Sequence, residues 1–309
     1  MFRILVVRLG SMGDVIQALP AVASLKHSFP HSRLSWVIKP RWASLLEGNP
    51  FVDEIIPFTR TAREILATRR LLRRERFELA VDLQGLIQSA LVAASAKADK
   101  IVGLARSQAR ESFAAMFYSS AIRTSAVHRV DRYLELVAAA GASNLLRTFP
   151  LPPGKPEGKL PEGPFVLACP LAGWGSKQWP MEHYTDLARR LKLPLVVNGP
   201  LDAFDVLSQI KGAHVHLSGL EGLIDATRRA QAIVGVDSGP VHLAAALGKP
   251  GVAIYGPTDP ASHGPYGGTL QVLRSSTAIT SYKRRAPDLG SMRAVSVAEV
   301  LEALEMCPA

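Results

Sequence analysis

Short apolar runs alternate along the chain with longer stretches whose apolar positions recur every three or four residues, the pattern of strands exchanging with amphipathic helices. The run FRILVVRL at 2–9 predicts a buried strand, and 14–27 a helix. Pro20 is expected to kink that helix or to restart it, because proline lacks the donor that a helix interior needs. RLSWVIK (33–39) predicts the next strand, ASLLEG (43–48) a short helix and VDEIIPF (52–58) another strand. A basic helix over 61–76 follows, then a strand in FELAVDLQG that ends at Asp82. The helix LIQSALVAASA (86–96), the strand KIVGLA (100–105) and helices near 109–120 and 127–140 come next. Strands alternating with helices in this way build a parallel sheet covered on both faces.

The alternation stops at TFPLPPGKPEGKLPEGP, 148–164, where six prolines and three glycines carry no apolar period, a linker composition. It then starts afresh, with strands at FVLACPL (165–171), LPLVVNG (193–199), HVHLSG (214–219), AIVGVD (232–237) and GVAIYG (251–256). Helices are predicted at 181–191, near 203–212, at 221–230 and at 240–247. The chain therefore reads as two α/β domains, 1–150 and 151–309, the number that a length of 309 residues favours. SVAEVLEALEM closes it as an amphipathic helix over 296–305, with Ser296 available as N-cap, and this helix is expected to pack back toward the N-terminal domain.

Composition narrows the class. Apolar residues make up 48% and charged ones 20%, enough to bury real cores. No apolar run approaches the ~18 residues of a membrane span, and the opening MFRILVVRLGSMGD lacks the layout of a signal peptide. Cys169 and Cys307 are too few for a disulfide framework or a zinc site. A soluble cytoplasmic protein is the expectation. Charge is unevenly placed: residues 1–150 carry 21 Lys/Arg against 12 Asp/Glu, a net +9, whereas 151–309 carry 15 against 14, a net +1. Either the first half meets an acidic partner, or the charge merely solubilises it.

Ligands of open α/β sheets sit beyond the carboxyl ends of the strands, and three candidate stretches fall there. In LGSMGDV, Gly10 and Gly13 permit a tight turn, and Asp14 stands at the start of the next helix. The G-x-G-x-x-G spacing is missing, so a dinucleotide site is unsupported. Asp14 is then either a favourable charge on the helix dipole or a carboxylate facing an interdomain cleft, as a general base needs. In IVGVDSGPVHLAAALGKP the strand ends at Asp237, Ser238 and Gly239 make the turn, Pro240 suits the first helical position and His242 falls in the first turn. The free N–H groups of that terminus suit a phosphate, although a packed strand–turn–helix without ligand fits the same residues. In PLAGWGSKQWPMEHY, Lys177 follows a glycine-rich loop, where it neutralises a phosphate or is an ordinary surface lysine. No D-x-D occurs and no histidine pair has zinc-helix spacing, which favours chemistry without a metal, the phosphate charge being carried by backbone dipoles and Lys177. The seven arginines of 60–76, against Glu64 and Glu75, form a solvated helix face or a grip for phosphates and carboxylates. Few aromatics interleave with them, so nucleic acid is not the expected partner.

Taken in order, SMGDVIQALPAV (11–22), DLQGLIQSAL (82–91), SQARES (107–112), GSKQWP (175–180) and VGVDSGPVHLAAALGKPGVAIYGPTDP (234–260) resemble the lipopolysaccharide heptosyltransferases of glycosyltransferase family 9, most of all the heptosyltransferase I type. The resemblance spans essentially the whole chain. It implies a GT-B fold, two Rossmann-like domains facing across a cleft, with the acceptor on the N-terminal domain and the nucleotide sugar on the C-terminal one. It also implies inverting transfer without metal or cofactor from ADP-L-glycero-D-manno-heptose to the Kdo region of a lipid A–linked inner core. On that basis Asp14 is the expected base, and Lys177 stabilises the leaving diphosphate. Asp237 and His242 would contact sugar hydroxyls, the Ser238–Gly239 backbone the diphosphate, and Asp202 the ribose; Ser238 stands where threonine is common. Ser11, Gly13, Arg63 and Arg110 are expected on the acceptor side. Because such an acceptor sits in a membrane, the basic half would work at the cytoplasmic surface of the inner membrane. Alternatives are a family 9 enzyme with another acceptor (heptosyltransferase II-like) or another nucleotide sugar, a nonenzymatic binder of acidic glycolipid or nucleic acid, and, least supported, an NAD-type oxidoreductase.

Overall fold

Strand β1 (Arg3–Val7) buries Ile4, Leu5, Val6 and Val7 completely, and a strand apolar on both faces must be sandwiched between helices. The computed structural model, which describes residues 1–59, 61–281 and 290–307, shows how. From β1 the chain runs through α1 (Met12–Ser28), β2 (Arg33–Ile38), β3 (Glu54–Pro57), α2 (Ala62–Arg74), β4 (Leu79–Asp82), α3 (Ile87–Ser95), β5 (Lys100–Leu104), β6 (Ser120–Ile122) and α4 (Arg129–Ala140). The six strands form one sheet in the order β3-β2-β1-β4-β5-β6, every neighbouring pair parallel. Helix α1 packs with α4, and α3 with α2. Leu5, Val7 and Leu9 join Phe58, Leu72 and Val92 in the core on the α2–α3 side.

A second sheet repeats the plan. It contains β7 (Val166–Cys169), α5 (Met181–Arg190), β8 (Leu195–Gly199), α6 (Phe204–Leu207), β9 (His214–Leu217), α7 (Leu220–Arg229), β10 (Ala232–Val236), α8 (Gly239–Ala246), β11 (Gly251–Tyr255), α9 (Pro260–His263), β12 (Leu270–Arg274) and α10 (Val297–Glu305). Its order is β12-β11-β10-β7-β8-β9, again all parallel. Counted from the first strand of each unit, both sheets have the 3-2-1-4-5-6 order of a Rossmann fold, whose switch point lies between the first and fourth strands. The two compact units are Met1–Pro152 and Pro153–Ala309.

Several expected elements differ. Helix α1 begins at Met12 and runs unbroken through Pro20. Nearly all its residues are buried, and Ser24 Oγ donates to the Pro20 carbonyl at 2.7 Å while accepting from Leu146 N, so packing outweighs the missing backbone bond. The helix near 109–120 is a 3-10 turn, Ser112–Phe117, followed by the edge strand β6. The helix near 203–212 shrinks to the single turn α6, and the edge strand β12 was not anticipated. The closing helix buries Val297, Val300 and Ala303 in the core of its own unit.

The proline-rich stretch has no helix or strand, yet its second half is fastened down. The Glu157 carboxylate accepts from Gly219 N at 2.6 Å and Gly222 N at 3.2 Å, which satisfies orphan donors at the start of α7. Its carbonyl meets His216 Nε2 at 2.6 Å. Glu157→Ala removes this cap and should destabilise the second unit by about 1 kcal/mol, the usual cost of a lost N-cap. Urea unfolding monitored by tryptophan fluorescence reads the lower midpoint, and an unchanged midpoint would remove the capping role.

Candidate active site

The turn after β1 is set by a close approach. Gly10 has φ +135°, and a Cβ there would lie 2.5 Å from Trp42 Nε1, so no larger residue fits. Gly13 lies inside α1, and Asp14 is the third helical residue rather than the first, because Ser11 is the N-cap. The Ser11 backbone N–H and hydroxyl donate to Asp14 Oδ2 at 2.8 and 2.9 Å. The other oxygen, Oδ1, is held by two guanidiniums: Arg8 Nη2 at 2.6 Å and Arg129 Nη1, from the first turn of α4. Arg8 is itself buried, with Nη1 on the Leu83 carbonyl at 2.7 Å and its guanidinium 5.6 Å from the Tyr133 ring centre. Burial pushes the Asp14 carboxyl up, but Arg8, then Arg129 and the Ser11 donors outweigh it and hold the group far below the usual carboxylate range. Arg8 and Arg129 were not singled out from the sequence; they come from a strand end and a distant helix, and no local spacing links them to Asp14.

Behind this turn sits a second carboxylate. Asp82 ends β4 fully buried and accepts from Tyr118 Oη at 2.7 Å, Ser89 Oγ at 2.8 Å, and the backbone N–H groups of Gln84 and Gly85 at 2.8 and 3.3 Å. Burial raises its pKa despite these donors. The loop it orders reaches back to β1: Gln84 Oε1 accepts from Leu9 N at 2.8 Å, and the Leu83 carbonyl holds Arg8. Asp82 therefore fixes the floor on which the Asp14 turn rests. The signal for it was present, a charged residue closing an apolar strand just before Gln84–Gly85.

The other acceptor-side candidates lie at the same carboxyl edge of the first sheet. Arg110 is exposed in a loop laid against the one that follows β4, where Glu111 N donates to the Gly85 carbonyl at 2.9 Å. Arg63 is exposed in the first turn of α2, beyond β3. Arg60, counted among the basic stretch, lies outside the described residues.

In the second unit, the loop after β7 and the turn after β10 meet at the switch point. Lys177 Nζ lies 2.5 Å from Asp237 Oδ2 and 4.3 Å from the Trp174 ring centre, which gives the ammonium both a carboxylate and an aromatic face. Thr258 Oγ donates to the same Oδ2. Asp237 Oδ1 accepts no hydrogen bond among the described residues. Ser238 is the N-cap of α8, but its buried hydroxyl has no hydrogen-bond partner among the described residues. Gly239 opens the helix with Pro240 beside it, and His242 is buried in the same turn. Gly235 allows this close strand–helix packing, since a Cβ there would fall 2.5 Å from Val241 Cγ2. Asp202 is exposed in the turn beyond β8 and makes no hydrogen bond or ion pair with this cluster among the described residues. Thr258 and Trp174 were missed, though each sits inside a stretch already marked. Among the described residues no three His, Cys, Asp or Glu side chains are grouped to hold a metal ion.

Two Rossmann-order domains, one offering a carboxylate on a helix start and the other an open helix N-terminus with a lysine beside it, are the parts of a GT-B fold. The profile of glycosyltransferase family 9 (heptosyltransferase) matches residues 65–290. Lipopolysaccharide heptosyltransferase 1 of Pseudomonas aeruginosa is 30% identical over 296 residues, covering 86% of this chain and 81% of that protein. Lipopolysaccharide heptosyltransferase 2 of Salmonella typhimurium is 29% identical over 319 residues, 91% and 90% of the two. The structure of E. coli heptosyltransferase WaaC with ADP aligns with TM-score 0.80 at 25% identity over 98% of this chain and 99% of that one; its complex with ADP-2-deoxy-2-fluoro heptose gives 0.79, with the same identity and coverage. The chain belongs to glycosyltransferase family 9.

Because the folded pKa of Asp14 is depressed, its stabilising effect is complete above its unfolded value of about 3.9 and is lost as pH falls toward the folded one. Arg129→Ala narrows that gap. The variant should be less stable by about 1–2 kcal/mol at neutral pH, as for a charged hydrogen bond with a partly exposed donor, and the deficit should shrink below about pH 4. Urea midpoints of the two proteins across this pH range test it; a deficit that does not change with pH would mean that Arg129 acts by packing alone.

Proposed function

We propose that this enzyme transfers heptose from ADP-heptose to the Kdo region of a lipid A–linked inner core, with inversion and without a resident metal. The observation that carries this is the setting of Asp14, a carboxylate kept ionised by two guanidiniums and a helix start at the carboxyl edge of the first sheet. Asp14 takes the proton of the acceptor hydroxyl as that oxygen attacks the anomeric carbon and ADP departs. A carboxylate paired in this way is a poor base until a guanidinium is drawn off it, and an acidic acceptor is the kind of molecule that competes for Arg129. Lys177 and the α8 N–H groups neutralise the leaving diphosphate, and the unused Oδ1 of Asp237 accepts from a sugar hydroxyl. The Ser238 hydroxyl, buried without a partner among the described residues, gains one from the donor. Support for the donor comes from the likeness to WaaC, solved with ADP and with a fluorinated ADP-heptose. The comparable identity to a heptosyltransferase 2 favours one alternative, a heptose-bearing acceptor.

ADP release from ADP-heptose, measured in EDTA with a Kdo-bearing and then a heptose-bearing lipid A acceptor, tests the assignment. Turnover should require the Kdo acceptor, survive EDTA, and fall at least ~10²-fold in Asp14→Ala, the lower end for loss of a general base. Turnover only on the heptose-bearing acceptor would shift the acceptor, and an active Asp14→Ala would remove the base. The rate should also show no acid limb between about pH 5 and 8, because a base with a depressed pKa stays ionised throughout that range.

A further inference from the structure

One polar side chain that the proposed reaction leaves unused reaches the turn that carries the base. Gln84 stands in the loop after β4, and its Oε1 accepts from Leu9 N at 2.8 Å, across the switch point between β4 and β1. Leu9 lies between Gly10, which packs against Trp42, and Arg8, whose Nη2 is 2.6 Å from Asp14 Oδ1. The same loop holds Arg8 a second time, because the Leu83 carbonyl accepts from its Nη1 at 2.7 Å. From the opposite side, Trp36 Nε1 donates to the Arg8 carbonyl at 3.1 Å and Lys39 N to the Leu9 carbonyl at 3.3 Å. Residues 8 and 9 are thus gripped from both neighbouring strands, and Gln84 is the half-buried side chain in that grip.

Gln84 can hold a backbone donor in place only if its own loop is rigid, and the buried node beneath it supplies that. Asp82 Oδ1 takes the backbone N–H groups of Gln84 and Gly85, and Oδ2 takes the hydroxyls of Ser89 and Tyr118. Tyr118 reaches so far because Gly103 is bare; a Cβ there would collide with the tyrosine ring. Gly85, at φ +69°, closes the loop, and Arg110 N would lie 3.2 Å from a Cβ at that position. A polar network satisfied in this way inside a protein keeps one geometry, since any other leaves a buried group unpaired.

We propose that Gln84 is a positioning residue for the base, an inference that rests on the reading of Asp14 as that base. By holding the Leu9 N–H it fixes the direction in which Arg8 leaves β1, and with it where the Asp14 carboxylate lies when the acceptor hydroxyl arrives. Its effect falls on the chemical step, because proton transfer depends on sub-ångström placement in a way that substrate binding does not.

Gln84→Met keeps the length of the side chain and removes the accepting oxygen. Its kinetics, read as ADP release on whichever of the Kdo-bearing and heptose-bearing acceptors the wild type turns over, test the assignment. The kcat should fall ~10–10²-fold, the effect of a small misplacement, while both KM values and the calorimetric affinity for ADP stay as in the wild type. Gln84→Glu, which retains an accepting oxygen, should recover most of the lost rate. On top of Asp14→Asn, Gln84→Met should cost nothing further, because a residue that acts through the base has nothing left to position. Unchanged circular dichroism shows that the variants fold. A Gln84→Met enzyme with wild-type kcat, a loss confined to KM, or a loss that recurs in full on top of Asp14→Asn would each overturn the proposal. An Asp14→Asn enzyme as fast as the wild type would overturn the base assignment, and the positioning with it, a result that no Gln84 variant mimics.

Discussion

Parallel strands can be joined only by crossovers, and this single constraint arranges everything chemical in the molecule. With every strand running the same way, each strand-to-helix turn emerges at one edge of its sheet and points a helix N-terminus there. The Rossmann order then parts the crossovers at the switch point, between β1 and β4 in the first unit and between β7 and β10 in the second. Asp14 follows β1 and Asp82 ends β4; Lys177 follows β7 and Asp237 follows β10. The residues that carry charge are therefore those that the topology delivers to two equivalent places.

The two places use the same helix-end potential differently. At α1 the positive terminus is already occupied by the protein's own carboxylate, to which Arg8 and Arg129 add two cations. At α8 the carboxylate of Asp237 is answered by Lys177 and Thr258, and the helix end keeps a buried hydroxyl with no partner among the described residues. One site is closed on itself and, in the proposed mechanism, is opened by competition; the other keeps donors that the proposed nucleotide would engage. That difference suits an acidic nucleophile-bearing substrate in the first unit and a nucleoside diphosphate in the second.

Much of this was legible in the chain, and the exceptions have physical reasons. The buried strands could be read because parallel strands covered on both faces are continuously apolar, as in β1, β8 and β10. The edge strands β6 and β12 could not: one is three half-exposed residues, and the other, Leu270–Arg274, buries only its first residue. Pro20 suggested a break because local propensity was weighed without the packing that surrounds α1. Asp14, Lys177 and Asp237 were visible because each stands in a glycine-marked turn after a strand. Arg8, Arg129 and Thr258 were invisible as partners because those contacts join segments far apart in sequence, which no periodicity encodes.

In the proposed mechanism the second unit holds the nucleotide and the first supplies the base. Calorimetric titration of ADP into the wild type, Asp14→Asn and Lys177→Ala tests it most directly. Asp14→Asn should bind ADP as the wild type does, while Lys177→Ala should weaken binding about tenfold or more, the weight of a hydrogen bond to a charged group. Loss of ADP binding in Asp14→Asn, with Lys177→Ala unaffected, would contradict the account.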